Sequence, residues 1–283
     1  MSKPFWDRIA IVGVGLIGGS IGLAARERGL TKDVMGIGRR EVSLQAALDA
    51  ATVTETTTDF AEGVKAADLI VVCTPVDRIA EHICNVAEHC PPHALITDAG
   101  STKADMVRQV ESVVGEPTRF IGSHPLAGSH ESGPAAARAD LFVNRTVIVT
   151  PTDKSTTEDA DEATQFWSAL GANVVSMDID THDAALAASS HVPHVVAAAL
   201  AAATPEQARQ LVAGGWLDTT RIAGADPGLW VPILQQNREH VLAALDRFSD
   251  EVAALRTALK QDDAAELHRL LNVGKQNRDA TSN

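Results

Sequence analysis

A short apolar run, Arg8-Ile-Ala-Ile-Val12, leads into Gly13-Val-Gly15-Leu-Ile-Gly18-Gly19-Ser20 and then into an amphipathic stretch. The run is short enough for a buried strand, and the apolar spacing over 17–28 is that of a helix. A strand that feeds a helix through three spaced glycines needs a tight turn at Gly13. It also needs close backbone access at Gly15 and close helix–strand packing at Gly18. The helix start, with Leu16 and Ile17, offers free amide donors and positive partial charge to a pyrophosphate. The glycines alone are a weak signal, but a strand before them and a helix after them is the context the motif requires.

The alternation continues. Residues 34–37, 69–73, 94–97, 120–122, 146–149 and 173–176 read as further strands, with helical patterns at 42–50 and 78–89. Strand–helix alternation implies a parallel sheet with right-handed crossovers, and strands that are apolar throughout imply helices on both faces. After Asp178 the pattern turns to Ala-rich and Leu-rich helical stretches. The expected class is therefore α/β, with a Rossmann-type dinucleotide-binding domain at 1–179 followed by an all-α domain at 180–283. Val241, Leu245, Phe248, Val252, Leu255 and Leu259 make a heptad-like stripe on one long helix, which suits an internal seam or a subunit interface equally. The polar tail from Lys275 is expected to fray.

Charge and cysteine content remove several function classes. The chain has 24 Lys+Arg against 37 Asp+Glu, a net charge of −13, and neither half is basic. Nucleic acid and anionic membrane surfaces are thus not expected as partners. The longest apolar run, 195–203, is far below the roughly 20 residues of a membrane span. The N-terminus lacks a signal peptide's charged-then-apolar layout. Cys73, Cys84 and Cys90 are odd in number and form no C-x-x-C pair, which argues against a disulfide framework or a thiolate zinc site. A cytoplasmic location is expected.

The second strand bears on the cofactor. An NAD site usually has Asp or Glu about 20 residues past the last glycine. Here that place holds Gly38-Arg39-Arg40. Nothing repels a 2′-phosphate, and two guanidiniums offer it bidentate bonds, which favours NADP. In the alternative, both arginines are solvated, Glu41 takes the ribose, and the cofactor is NAD. Thr74-Pro75 ends a strand where loops face the cofactor crevice. Ser101 either faces the same crevice or caps a helix. His124, within Gly122-Ser-His-Pro-Leu-Ala-Gly128, is placed at a strand end to face a ligand, or else is structural. His191 and His194 share a helix face, and no third ligand stands at metal spacing. Arg221 lies in an apolar segment; a buried guanidinium there must meet Asp226, another carboxylate or a substrate.

Taken together, these segments resemble the prephenate/arogenate dehydrogenase family of tyrosine biosynthesis. The resemblance runs from about Ile9 to Asn237. It rests on GVGLIGGS, TPV at 74–76, DAGSTK at 98–103, GSHPLAGSHESG at 122–133, the LF and TP of 141–151, SHVPH at 190–194 and TRIAGADPGLW at 220–230. It implies a C-terminal helical domain that forms a homodimer. It also implies an oxidative decarboxylation of arogenate or prephenate, in which hydride leaves ring C4 for the nicotinamide and CO2 departs as the ring aromatises. By the same resemblance His124 is the base for the 4-hydroxyl, and Ser101 orients that pair. His194 is a second pocket histidine, Arg221 grips the ring carboxylate, and Trp230 is a pocket aromatic, within the subunit or across the dimer. Glu131 is a candidate partner for the ammonium of arogenate, or a solvated loop charge; with NADP, this points to arogenate. Neither a chorismate mutase nor a regulatory domain is expected after the helical half. Two rivals stay open. One is another two-domain NADP dehydrogenase, of β-hydroxyacid dehydrogenase or imine reductase type, although 180–203 lacks the Lys of the hydroxyacid enzymes. The other is a non-catalytic NADP-binding sensor.

Overall fold

The computed structural model describes residues 5–115, 117–129 and 131–281. Eight strands form one sheet: β1 (Arg8–Val12), β2 (Asp33–Ile37), β3 (Glu55–Thr57), β4 (Leu69–Val72), β5 (Leu95–Asp98), β6 (Arg119–Pro125), β7 (Thr146–Thr150) and β8 (Asn173–Ser176). Their order is β3-β2-β1-β4-β5-β6-β7-β8. Alternate residues of β1 enter different cores. Ile9 and Ile11 pack with Ile21, Phe166 and Trp167 on one face, while Ala10 and Val12 pack with Ile79, Ile83 and Val107 on the other. Both faces being covered explains why the strand shows no polar alternation. The covering helices are α1 (Leu16–Glu27), α2 (Glu41–Asp49), α3 (Phe60–Val64), α4 (Val76–Ala87), α5 (Ala104–Val113) and α6 (Thr157–Ala169).

The sheet departs from the expected all-parallel form at one junction. β6 and β7 are antiparallel, so β7 and β8 run against the other six strands. Between them the described chain holds only a 3₁₀ turn, Pro134–Ala136, and a parallel return would need a crossover, usually a helix. The strand expected at 120–122 is also longer, because β7 extends the pairing beyond the last β5 partner, Ile121, to Gly122–Pro125. Polar β3 lies at the sheet edge, where three residues of Glu and Thr carry no apolar signal.

From Ile179 the chain is helical. α7 (Ile179–Leu186), a π turn (Ala187–His191) and α8 (Val192–Ala203) form one run, followed by α9 (Glu206–Arg209) and α10 (Gly214–Thr220). A 3₁₀ turn (Arg221–Gly224) leads to α11 (Pro227–Gln236), α12 (Arg238–Lys260) and α13 (Ala264–Ala280). The Ile179–Ala203 run is 25 residues with mean hydropathy 1.4, long and apolar enough to cross a membrane. Its His182, Asp183 and His191 are buried and hydrogen-bonded within the chain, as in a core helix. The α12 stripe is split. Val241 packs with Ala187 and Val192, whereas Phe248, Val252 and Leu259 are 40%, 46% and 66% exposed. The tail does not fray at Lys275: α13 continues to Ala280, with Asp263 capping its start and a Lys275–Asp279 pair one turn apart near its end.

Candidate active site

The cofactor crevice is built by the turn after β1. Gly13 has φ +94°, and its N–H donates to the carbonyl of Ile37 at 2.8 Å. A Cβ on Gly18 would lie 2.3 Å from the Gly13 carbonyl oxygen, so α1 can approach β1 this closely only without one. Gly15 caps α1 without a side-chain bond, no acidic residue stands in the first turn, and a Cβ there would meet open space. These features fit a dinucleotide pyrophosphate on the helix amides. Leu16 and Ile17 are different: their side chains pack against the sheet core and do not line the crevice.

The crevice holds about 470 Å³ and is lined by Gly13, Gly15, Gly38, Arg39, Arg40, Thr74 and Pro75. Arg39 and Arg40 are exposed and form no ion pair among the described residues. Four lining residues had not been singled out in the sequence: Ser43, Phe60, Arg78 and His82. The one-turn spacing of Arg78 and His82 just after Pro75 was the available signal. His82 Nδ1 lies 2.9 Å from Thr74 Oγ1, and its ring tilts against Phe60 at 5.3 Å. Burial pushes its pKa down, which favours the neutral ring.

His124 sits on the same carboxyl edge of the sheet, within β6 opposite Ile148 and not in the loop after it. It is 8% exposed. Its Nδ1 lies 2.8 Å from His182 Nε2, and His182 Nδ1 lies 2.7 Å from Asp183 Oδ1. The Asp183 carboxylate accepts the Lys103 and Ala104 amides at 2.9 Å each, capping α5 from 80 and 79 residues away in sequence. Asn237 Nδ2 donates to the Asp183 carbonyl at 2.7 Å and lies 3.1 Å from His191 Nδ1. Beneath them, Lys103 Nζ meets Asp98 Oδ2 at 2.5 Å with both side chains fully buried. Asp98 also accepts the Ser123 and Gly100 amides at 2.9 and 2.8 Å. Burial first, then the neighbouring His182, Lys103 and His191, holds His124 well below the usual histidine range. The base candidate is therefore a neutral imidazole.

Ser101 does not cap α5, since Asp183 does so. Its half-buried hydroxyl makes no hydrogen bond among the described residues. The π turn sets His191 and His194, with Pro193 in the first turn of α8. His194 stacks on Trp230 of its own chain at 3.7 Å and 8°, and the ring centroids of His191 and Trp230 are 6.1 Å apart in an edge-on contact. Burial lowers both histidines, His191 to about 4. His194 Nδ1 is buried without a partner.

Arg221 corrects the burial argument. It is exposed, while Ile222 and Ala223 beside it are half-buried in a turn that packs on α8. Asp226 does not pair with it but caps α11 through the Gly228 amide at 2.9 Å. Arg221 thus carries no desolvation cost and has no ion-pair partner among the described residues. Glu131 is an exposed loop residue whose backbone N–H donates to Ser129 Oγ at 3.2 Å; its carboxylate pairs with no described cation. His182, Asp183 and Asn237 had not been singled out in the sequence, and the adjacent His-Asp pair at the start of a helix was the visible sign.

A glycine-turn crevice and a buried neutral histidine on one sheet edge, under a helical second half, define an oxidoreductase that uses a nicotinamide dinucleotide. Residues 21–176 match the family model described as prephenate dehydrogenase, nucleotide-binding domain, and residues 178–273 match prephenate dehydrogenase, dimerization domain. The chain is 35% identical over 280 residues to a prephenate dehydrogenase of Bacillus subtilis, spanning 96% of this chain and 76% of that one. It is 31% identical to a cyclohexadienyl dehydrogenase of Zymomonas mobilis, spanning 91% and 90%. Prephenate dehydrogenase from A. aeolicus, solved with hydroxyphenyl propionate and NAD+, superposes with TM-score 0.91 at 29% identity over 99% of both chains. Synechocystis arogenate dehydrogenase superposes with TM-score 0.85 at 29% identity over 97% and 99%. A Plasmodium falciparum pyrroline carboxylate reductase, with TM-score 0.53 and 12% identity, shares the fold alone. The chain belongs to the prephenate dehydrogenase family.

Proposed function

We propose that the chain catalyses oxidative decarboxylation of a cyclohexadienol, arogenate or prephenate, with NADP preferred. The observation that carries this reading is His124, buried and neutral on the carboxyl edge that also holds the cofactor crevice. When bound, the nicotinamide supplies the hydride acceptor for ring C4. His124 takes the 4-hydroxyl proton as positive charge grows on that carbon, help worth typically 10²–10⁴-fold. Loss of the ring carboxylate as CO2 then makes the ring aromatic. Arg221, exposed and without an ion-pair partner, orients that carboxylate through paired hydrogen bonds. Ser101, with a free hydroxyl, orients the His124–hydroxyl pair, and the stacked His194–Trp230 rings form a wall for the substrate. Glu131 is the candidate for an ammonium, which favours arogenate. Gly13, Gly15 and Gly18 with the α1 amides hold the pyrophosphate. Gly38, Arg39 and Arg40 receive the 2′-phosphate, and Thr74-Pro75 borders the crevice.

Residues 1–179 form the dinucleotide unit, and 180–283 the unit that pairs two subunits. The uncovered Phe248, Val252 and Leu259 support that pairing, and sedimentation at micromolar concentration should give a homodimer. The decisive assay follows absorbance at 340 nm with prephenate or arogenate, each with NAD or NADP. The fastest combination is expected to be arogenate with NADP. Silence in all four, with NADP binding shown separately, would reject the activity and leave a cofactor-binding sensor.

A further inference from the structure

Burial keeps His124 uncharged, but it does not decide which ring nitrogen carries the proton. A base facing the substrate through Nε2 works only if Nε2 is the bare one. The neighbours of His124 decide this by elimination. The Asp183 carboxylate already accepts two backbone N–H groups, from Lys103 and Ala104. An ionised carboxylate has acceptors only, so the third group on it, His182 Nδ1 at 2.7 Å, must be N–H. A neutral imidazole has a single N–H, which leaves His182 Nε2 as a lone pair. That lone pair faces His124 Nδ1 at 2.8 Å, so His124 Nδ1 must be N–H and its Nε2 bare.

We infer that His182 and Asp183 are positioning residues that lock His124 as the Nδ1–H tautomer, making Nε2 the proton acceptor. This rests on reading His124 as the base. When Nε2 takes a proton, every hydrogen bond of the chain Asp183–His182–His124 keeps its direction, so the step needs no rearrangement behind the ring. The chain also crosses the molecule. His124 belongs to β6 of the sheet, His182 and Asp183 to α7 of the helical half, and Asp183 is fastened to the start of α5. Asp183 therefore does two jobs: it caps α5 and it orients His182. The base is set in its working form only when α7 is seated on the sheet.

The tautomer is directly measurable. Full-length protein with 15N-labelled histidine, in its native assembly, gives long-range 1H–15N spectra of its ten histidines. His124 is assigned by its absence in His124→Gln. The expected pattern is a protonated-type Nδ1 and an unprotonated-type Nε2 at neutral pH; the reverse pattern overturns the inference. A wrong tautomer in a Ser-His-Asp site costs about 10⁴-fold in kcat. His182→Phe leaves the tautomer unselected, not inverted, so the expected loss is about 10²-fold in kcat with KM changed less than about threefold. His182→Gln places an amide oxygen within reach of His124 Nδ1–H and should recover at least about tenfold of that loss. Wild-type kcat in His182→Phe, or a Gln variant no better than Phe, would overturn it. The spectra do not depend on turnover. If the 340 nm assay is silent while Nδ1–H is observed, the proposed reaction fails and the positioning stands.

Discussion

Replacing Lys103 by Met removes the cation from a pair with no access to water. Lys103 Nζ and Asp98 Oδ2 are 2.5 Å apart, and both side chains have zero exposure. Met keeps most of the aliphatic stem, so little cavity opens, and the cost is chiefly electrostatic. Breaking a buried pair by removing one partner costs about 3–5 kcal/mol. Asp98 retains the Ser123 and Gly100 amides, which places the expected loss at the lower end, about 3 kcal/mol. Unfolding entropy near 2.1 cal/mol/K per residue gives ~0.6 kcal/mol/K for this chain, so Tm should fall by about 5 °C. Urea unfolding at fixed protein concentration checks the free energy, with the midpoint falling at unchanged m. Adding Asp98→Asn removes the stranded charge and should restore most of the loss. A single variant within about 1 kcal/mol of wild type would refute the reasoning, because Asp98 would then tolerate burial without its cation.

Four further outcomes are expected. His124→Ala should lower kcat by about 10²–10⁴-fold while KM moves little, and steady-state kinetics with unchanged turnover would remove His124 from the chemistry. Because His124 is held well below the model value of 6.5, the base stays neutral as pH falls through that value. The acid limb of kcat/KM should lie below pH 6.5, and a midpoint at or above it would contradict the site electrostatics. Arg39→Ala should weaken NADP by roughly tenfold more than NAD in fluorescence titrations, and equal losses would detach Arg39 from the 2′-phosphate. Arg221→Ala should chiefly raise KM, by about tenfold or more for a charge-assisted pair, and an unchanged KM would end its role in substrate binding.

What was legible in the sequence was local. The strand–glycine–helix unit is specified by neighbours within about 20 residues, so Gly13, Gly15 and Gly18 could be placed from spacing alone. The full extent of β6 could not, because Gly122–Pro125 pairs only with β7, whose strand pattern lies beyond a long loop. The reversal of β7 and β8 leaves no periodic trace either, since buried strands of either direction can read as apolar runs. His182 stands 58 residues from His124, and nothing in its own neighbourhood names that partner. Arg221 shows the converse limit: apolar neighbours suggested burial, but a 3₁₀ turn turned two of them inward and left the guanidinium outside.

The π turn at Ala187–His191 sits between two working faces of one helical run. Upstream, His182 and Asp183 look to the sheet; downstream, His194 lies flat on Trp230. A π turn holds one residue more than an α turn. Deleting a single residue inside 187–191 would therefore regularise the helix and rotate everything after it by about 100°. The proton acceptor would keep its support while His194 swung off Trp230. The fold thus separates two angular settings on one rod, so the substrate wall can be re-aimed by insertion or deletion without disturbing the residues that hold the base.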